Sequence, residues 1–225
     1  MPLRAAVFDF DGVIVDSEPL HFQALQDVLR SDGVEITKEE YVGMYLAFDN
    51  RTSIRLALEH HHESADPARI DRLDALKVSR FVELQPQVRT LPGATELVRA
   101  LEAELPLAIA SGALHNEVAE ILEAVKLDDA FETIVGADDA PRTKPDPAPY
   151  VEAVRRLAEG RDGLSPSDCL AIEDTMAGIV YALGAGMTVV GVAHTYPADK
   201  LQAAHRVVDS LVDLDVDDLR GLFGD

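Results

Sequence analysis

Near its start the chain has an apolar run, Ala5-Ala6-Val7-Phe8, that leads directly into Asp9-Phe10-Asp11-Gly12. Alternate residues of a strand point to the same side, so the side chains of Asp9 and Asp11 converge where the backbone leaves a sheet. Aspartate before glycine is also common in ordinary turns, which need no chemistry. Two crowded carboxylates repel each other unless a cation or a reaction uses them, so the rest of the chain decides between these interpretations.

Short apolar runs alternate with helical patterns from residue 92 onward. The predicted strands cover residues 5–10, 107–111, 133–136, 169–173 and 188–192, and the helices between them cover 93–103, 116–124, 148–158 and 176–183. Such alternation with short connections is typical of a parallel sheet flanked by helices. We therefore predict an α/β fold with a Rossmann-like parallel-sheet core.

Residues 17–87 have helical patterns only, with boundaries indicated at Ser31-Asp32-Gly33, Asp49-Asn50 and Asp66-Pro67. This pattern predicts an all-helical cap domain, 17–87, inserted after the first strand of a catalytic core made of residues 1–16 and 88–225. Loops that follow strand ends are where open α/β sheets build their sites. We therefore expect the insertion to act as a lid.

The chain is strongly acidic, with 41 Asp and Glu against 20 Lys and Arg and a net charge of −21 over 225 residues. This charge argues against nucleic acid and anionic membranes as partners, and a phosphate would need a locally positive site.

No apolar stretch approaches the ~20 residues of a membrane span and no signal peptide is evident, which predicts a cytoplasmic protein. Cys169 lies in an apolar run and is predicted to be a buried structural residue. The oligomeric state stays open, and a monomer is compatible with the sequence.

Further polar residues follow the other predicted strands. Ser111-Gly112 ends one strand, where a serine can both cap the next helix and bind phosphate, and Glu173-Asp174 ends another. Lys144 lies in a loop stiffened by prolines, which favours a lysine held in a fixed place. Several carboxylates at one edge of a parallel sheet indicate a hard cation, and Mg²⁺ with a small phosphorylated metabolite is the pairing we predict.

These segments, taken together, resemble a known family. Asp9–Ser17, Ser111, Lys144 and Glu173-Asp174 match, in order and spacing, the four motifs of the haloacid dehalogenase-like hydrolase superfamily. More narrowly, the chain resembles the β-phosphoglucomutase and phosphoglycolate-phosphatase group, whose members carry a helical cap. The resemblance covers essentially the whole chain.

The resemblance implies a role for each motif residue. Asp9 would be the nucleophile that forms an aspartyl-phosphate, and Asp11 the general acid and base. Ser111, Gly112 and Lys144 would hold the phosphoryl oxygens, with Lys144 also relieving repulsion between the phosphate and Asp9.

The resemblance also implies a Mg²⁺ site. Its ligands would be the Asp9 side chain, the Asp11 backbone carbonyl and Asp174. Glu173 would be either a direct ligand or a residue that supports the ligands from behind.

Cap residues select the substrate in this group, and three residues of this cap are candidates for that role. Arg51 and Lys77 lie near positions where β-phosphoglucomutase has cationic cap residues, and His21 resembles its cap-hinge histidine. The alternative is that both cations are exposed helix residues and the histidine is structural. Leu114 stands where the mutase has a lysine, which favours a phosphatase over a mutase.

Three functions therefore compete. The leading prediction is a Mg²⁺-dependent phosphatase, a phosphoric monoester hydrolase acting on small phosphorylated metabolites such as sugar phosphates. The alternatives are a phosphomutase with the same aspartyl-phosphate chemistry and a non-catalytic phosphometabolite-binding module. A binding module would have no need of Asp11, which argues against the last alternative.

The run His60-His61-His62 suggests a metal site at first sight. Consecutive residues of a helix point about 100° apart, so we expect a solvated helix end rather than a chelating group.

Overall fold

The structure is a computed structural model that describes residues 2–46, 48–139 and 146–224. Its sheet has the strand order β3-β2-β1-β4-β5-β6, and every neighbouring pair of strands is parallel. The strands are β1 (Ala5–Phe8), β2 (Leu107–Ala110), β3 (Thr133–Val135), β4 (Cys169–Glu173), β5 (Thr188–Val192) and β6 (Arg206–Val208). The predicted α/β fold is confirmed.

The chain divides into two compact units, Met1–Asp16 with Arg89–Asp225 and Ser17–Val88. The described residues of the second unit form helices and the connections between them, with no strand. It contains α1 (Glu18–Ser31), α2 (Lys38–Glu40), a π-helix (Tyr41–Tyr45), α3 (Asn50–His60), α4 (Pro67–Leu84) and a 3₁₀ turn (Gln85–Gln87). The helices of the first unit are α5 (Ala94–Glu102), α6 (His115–Val125), α7 (Ala148–Leu157), α8 (Met176–Gly184) and α9 (Val216–Arg220).

Local chemistry sets the helix boundaries that the sequence predicts. The Asp49 side chain accepts a hydrogen bond from the Thr52 amide at the start of α3. The Asp66 side chain accepts one from the Ala68 amide at the start of α4. Side-chain caps of this kind satisfy amides that have no partner within the helix, so both helices begin directly after an aspartate.

Strands β1, β2 and β4 are buried along their whole length, as expected for parallel strands covered on both faces. Cys169 is fully buried in β4, and this burial raises the pKa of its thiol to about 12. The predicted structural role of Cys169 fits this position. No helix in the described ranges combines the length and the apolar composition that a membrane span requires.

The strand order places β1 in the middle of the sheet, with β2 on one side and β4 on the other. In this order the connections turn in opposite directions on the two sides of β1, and ligands bind outside the carboxyl ends of the strands at that point. Phe8 pairs with Ile109 and with Ile172, so the residues that follow the three strands lie at one level.

Some elements differ from the sequence prediction. The first strand ends at Phe8 rather than Phe10, because the Phe10 carbonyl accepts the Ile14 amide in a turn. Strand β6 and helix α9 were not predicted. Each is short, three and five residues, so neither presents enough periodicity to be recognised from sequence.

Candidate active site

Asp9 follows the last residue of β1 and is buried, with 6% of its surface exposed. Its backbone amide donates to the carbonyl of Ile172 in β4 at 2.9 Å. The hydrogen bonds between β1 and β4 therefore continue to Asp9 itself. They fix Asp9 at the switch point of the sheet, where the connections on the two sides of β1 turn in opposite directions.

The turn after Asp9 packs directly against the end of β4. Gly12 has a φ of +80°, a left-handed conformation that glycine adopts without strain. A Cβ atom on Gly12 would lie 1.9 Å from Asp174 Oδ2 and 2.9 Å from Thr195 Oγ1, so no side chain fits there. Asp11 precedes this glycine in the same turn and is partly exposed.

Glu173, the last residue of β4, is fully buried and accepts four hydrogen bonds. Its Oε1 accepts from the Tyr150 hydroxyl at 2.8 Å. Its Oε2 accepts from the amides of Asp174 (3.0 Å) and Thr175 (2.9 Å) and from the Thr175 hydroxyl (2.9 Å). The carboxylate thus fixes the backbone of the residue that follows it.

Tyr150 and Gly178 complete the surroundings of Glu173. Burial, together with the charges of Glu173 and Asp9, raises the pKa of Tyr150 well above its ordinary value, so its hydroxyl stays a hydrogen-bond donor. A Cβ atom on Gly178 in α8 would lie 1.6 Å from Glu173 Oε1. The absence of a side chain at Gly178 is what leaves room for the carboxylate.

The carboxylates of Asp9, Glu173 and Asp174 form one buried cluster. Each contributes an oxygen, and these oxygens lie within 4.8 Å of one another. Buried carboxylates this close repel each other unless a cation or a proton compensates their charge, and carboxylate oxygens are the ligands that Mg²⁺ prefers. The donor set therefore fits the predicted metal. Asp11 lies in the adjacent turn, where the prediction assigns a backbone carbonyl rather than its side chain.

Ser111 follows β2 at the same edge of the sheet and is 2% exposed. Its amide donates to the Val135 carbonyl at 2.9 Å, and its Oγ accepts from the Ala113 amide at 3.0 Å. The N-cap of α6 is Leu114, so Ser111 shapes the loop and does not cap the helix as the sequence suggests. Gly112 is exposed, with open space where a side chain would lie.

Lys144, the predicted phosphate-binding cation, lies outside the described residues. Side chains fix the described segments that precede and follow it. The Asp139 carboxylate accepts from the Gly136 amide at 2.9 Å, and Asp146 accepts from the Ala148 amide at 3.0 Å.

The helical unit contains a polar pocket of about 160 Å³. Its lining residues are Glu18, His21, Leu25, Tyr41, Leu46, Phe48, Asn50, Ser53 and Lys77. Two of the predicted substrate-binding residues are therefore in one cavity, together with a hydrogen-bonded pair, the Tyr41 hydroxyl and the Glu18 carboxylate.

His21 and Lys77 are in direct contact in this pocket. Lys77 Nζ lies 2.8 Å from His21 Nδ1, and the His21 ring stacks on Phe81 with a centroid distance of 3.9 Å. Burial first, and the Lys77 charge second, lower the pKa of His21 to about 3. A neutral His21 accepts from Lys77 through Nδ1 and carries its proton on Nε2. Lys77 is 5% exposed and is therefore not a surface cation.

Arg51 occupies a different position from His21 and Lys77. Its guanidinium forms an ion pair with Asp71, and its side chain is 53% exposed. The neighbouring Asn50 lines the pocket, whereas Arg51 does not. Its predicted contact with a substrate remains a prediction.

The chain matches known proteins over most of its length. The sequence profile of the haloacid dehalogenase-like hydrolases matches residues 6–192. The chain belongs to the haloacid dehalogenase-like hydrolase family. The resemblance predicted from the motifs is thus confirmed, as is the prediction that the chain is an enzyme.

Individual relatives agree with this assignment. The hydrolase is 33% identical to protein CbbY of Rhodobacter capsulatus over 198 residues, which are 84% of this chain and 85% of the relative. It is 29% identical to hexitol phosphatase B of Escherichia coli K12, with 97% of both chains covered. Its fold matches the crystal structure of CbbY from Rhodobacter sphaeroides in complex with phosphate, with a TM-score of 0.79, 26% identity and coverage of 95% and 96%.

The histidine run of this hydrolase lies at the end of α3, with His60 and His62 exposed and His61 half-buried, as expected of a solvated helix end. His60 Nε2 and His61 Nε2 each lie 3.5 Å from the same Glu40 Oε1. The helical spacing of 100° does not apply, because α3 ends at His60 and His61 has non-helical backbone angles of φ −88° and ψ 16°. The third residue of the cluster comes from another helix, which no local pattern reveals.

Sequence reasoning missed several residues of the site. Tyr150 supports Glu173 from a helix 23 positions away, and nothing in its local sequence indicates this. Gly178 does carry a signal, since a glycine inside a helix is unfavourable and implies a packing reason. Glu18 and Tyr41 of the helical pocket were also missed, because their contact joins two separate helical segments.

Proposed function

We propose that this hydrolase is a Mg²⁺-dependent phosphatase that releases phosphate from small phosphorylated metabolites, sugar phosphates or similar alcohols, through an aspartyl-phosphate on Asp9. The observation that carries the proposal is the buried cluster of Asp9, Glu173 and Asp174 at the switch point of the sheet. Similarity to a hexitol phosphatase supports the class of substrate.

In the first step an oxygen of the Asp9 carboxylate attacks the phosphorus of the substrate. A bond forms between that oxygen and phosphorus, and the bond from phosphorus to the alcohol oxygen breaks. Asp11, two residues further and partly exposed, donates a proton to the departing alkoxide. The alcohol leaves as a neutral product.

In the second step Asp11, now ionised, takes a proton from a water molecule that attacks the phosphorus. The bond to Asp9 breaks, phosphate leaves, and the Asp9 carboxylate is restored. The Ser111 hydroxyl, whose oxygen accepts from the Ala113 amide, donates its own hydrogen to a phosphoryl oxygen. Lys144 is proposed as the second phosphoryl contact.

When bound, Mg²⁺ would supply positive charge that offsets the repulsion between the phosphoryl group and the carboxylates. Asp9 and Asp174 would hold it through their side chains, and Asp11 through its carbonyl. Glu173 is proposed as a positioning residue rather than a ligand, because its two oxygens already accept four hydrogen bonds from the protein. It would fix the direction of Asp174.

Two features bear on the acceptor and the substrate. Leu114 is exposed and apolar, so it offers no second cation for the bisphosphate that a mutase has to hold, which favours water as the acceptor. The pocket with His21 and Lys77 supplies a histidine that stays neutral and a buried ammonium group. We propose that these groups, together with Arg51, which follows the pocket residue Asn50, recognise the polar part of the substrate.

The first experiment measures phosphate release from a panel of sugar and polyol phosphates by the wild type, Asp9→Asn and a control, Asp199→Asn. Asp199 is an exposed aspartate of the same unit. Release should disappear in Asp9→Asn, whose amide cannot attack phosphorus, and persist in the control. Circular dichroism and melting curves establish that both variants fold. Appreciable release by folded Asp9→Asn would contradict the nucleophile assignment.

The second experiment separates hydrolysis from phosphoryl transfer. The enzyme is incubated with β-glucose 1-phosphate and a trace of the 1,6-bisphosphate, and both free phosphate and glucose 6-phosphate are followed. Free phosphate is the expected product. Rapid formation of glucose 6-phosphate with little free phosphate would establish the mutase alternative instead.

A further inference from the structure

The helical unit has a second cluster of ionisable side chains, made of Glu40, His60 and His61. A ligand-type atom of each lies within 4.8 Å of the others. The two imidazole rings are edge to face, with centroids 5.2 Å apart and an interplanar angle of 86°. Two nitrogens and one carboxylate oxygen are therefore close enough together to contact one ion.

The Glu40 carboxylate is fixed by its own helix. Its Oε2 accepts from the Thr37 amide at 2.6 Å, and its amide donates to the Thr37 hydroxyl, which together form a capping box. The other oxygen, Oε1, is the one that lies near both histidines.

The distances in the cluster are long for hydrogen bonds. Each Nε2 lies 3.5 Å from Glu40 Oε1, whereas N–H···O bonds are about 2.7–3.2 Å long. Two ligands that each lie about 2.1 Å from a tetrahedral metal are separated by roughly 3.4 Å. The two distances from Nε2 to Glu40 Oε1 are therefore closer to the separation of two ligands on a tetrahedral metal than to the length of a hydrogen bond.

A second observation points to a ligand at the same place. The Nε2 atom of His61 is buried and has no hydrogen-bond partner within the described residues, and the same is true of the Tyr45 hydroxyl. Tyr45 is close enough for the Glu40 charge to contribute, after burial, to a raised pKa. Buried polar nitrogens without a partner are costly, and coordination of a cation would satisfy the one on His61.

We propose that Glu40, His60 and His61 form a binding site for a divalent transition metal of the Zn²⁺ class. Imidazole nitrogens suit Zn²⁺ and its neighbours in the first transition row, whereas Mg²⁺ prefers oxygen ligands. The site is thus chemically distinct from the carboxylate cluster in the other unit. His60 is exposed, which leaves a fourth coordination position for water.

The proposed metal would tie together two segments that shape the polar pocket. Glu40 directly precedes the π-helix, whose first residue, Tyr41, donates its hydroxyl to Glu18 in the pocket wall. His60 and His61 end the helix that contributes Asn50 and Ser53 to the same pocket, residues that lie a few turns away. Binding should therefore stabilise the helical unit.

The test uses the 225-residue protein without a histidine tag, in excess Mg²⁺ to saturate the carboxylate site. Co²⁺ is titrated in, and the visible absorption bands of tetrahedral Co²⁺ are recorded before and after Zn²⁺ is added. The variants are His60→Gln and His61→Gln, and the control is His62→Gln, the next residue of the same run. Melting curves with and without Zn²⁺ are recorded for all four proteins.

Wild type and His62→Gln should bind a single equivalent of Co²⁺ with tetrahedral bands, release it to Zn²⁺ and melt at a higher temperature with Zn²⁺. The tetrahedral Co²⁺ bands and the stabilisation by Zn²⁺ should both be lost in His60→Gln and His61→Gln. The proposal is overturned if the wild type gives no tetrahedral spectrum, or if a His60 or His61 variant binds as the control does. His60 is exposed, so its variant is informative even if His61→Gln does not fold.

Discussion

Replacing Gly178 by alanine tests how far the site depends on the position of Glu173. A Cβ atom at this position would lie 1.6 Å from Glu173 Oε1 and 2.0 Å from its Cδ. The carboxylate therefore has to move. Gly184, in the same helix, provides a matched control, because the nearest atom to its Cβ would be Pro147 Cβ at 3.8 Å, an ordinary contact.

Two opposing effects set the change in the free energy of unfolding that Gly178→Ala causes. Alanine favours a helix over glycine by roughly 0.8–1.0 kcal/mol. A hydrogen bond to a charged group contributes about 1.5–3 kcal/mol, and moving Glu173 disrupts at least two of the four that it accepts. The net loss for Gly178→Ala is then about 2–5 kcal/mol, whereas Gly184→Ala should be neutral or slightly stabilising.

The melting temperature is the first measurement. A chain of this size loses about 2–4 °C per kcal/mol, so Gly178→Ala should melt about 4–20 °C below the wild type. Displacing a residue that orients a metal ligand commonly costs about 10- to 100-fold in metal affinity or activity, so Mg²⁺ activation should weaken as well. If Gly178→Ala melts and responds to Mg²⁺ as Gly184→Ala does, the supporting role of Glu173 is refuted.

Three further outcomes are expected. Mg²⁺ should raise the melting temperature of the wild type but not that of Asp174→Asn. Ca²⁺ should activate phosphate release poorly. If a chelator leaves the activity unchanged, the metal site is contradicted. Arg51→Ala should raise KM for the natural substrate and leave hydrolysis of a small aryl phosphate unchanged. The control is Arg55→Ala, which removes an ion-paired arginine of the same helix. Equal losses on both substrates would mean that Arg51 supports folding. His21 has a folded-state pKa of about 3, below the unfolded value of 6.5, so the unfolded state binds more protons between these pH values and acidification costs stability. From pH 6.5 to 5 the wild type should lose about 2 kcal/mol more than His21→Gln in denaturant unfolding, and parallel profiles would show that His21 is not the group responsible.

The sequence alone determined the class of fold and which polar residues follow the central strands at one edge of the sheet. Apolar runs that alternate with helical patterns predict a parallel sheet. Because parallel strands all end at the same edge of a sheet, the residues that follow them lie close together. Asp9 and Asp174 could be paired for this reason without coordinates. Helix starts at Asp49 and Asp66 were equally predictable, because a side-chain cap acts within three residues of its own position.

Only the tertiary structure decided which groups support those residues. Tyr150 and Gly178 make room for Glu173 and hold it, and the contact depends on how two helices pack on the sheet. The burial of Lys77 against His21 joins residues 56 positions apart, and no local pattern distinguishes it from an exposed lysine. The sequence encodes short-range hydrogen bonds and periodicity directly. Burial, and the pKa and contacts that follow from it, depend on which distant side chains the fold brings together.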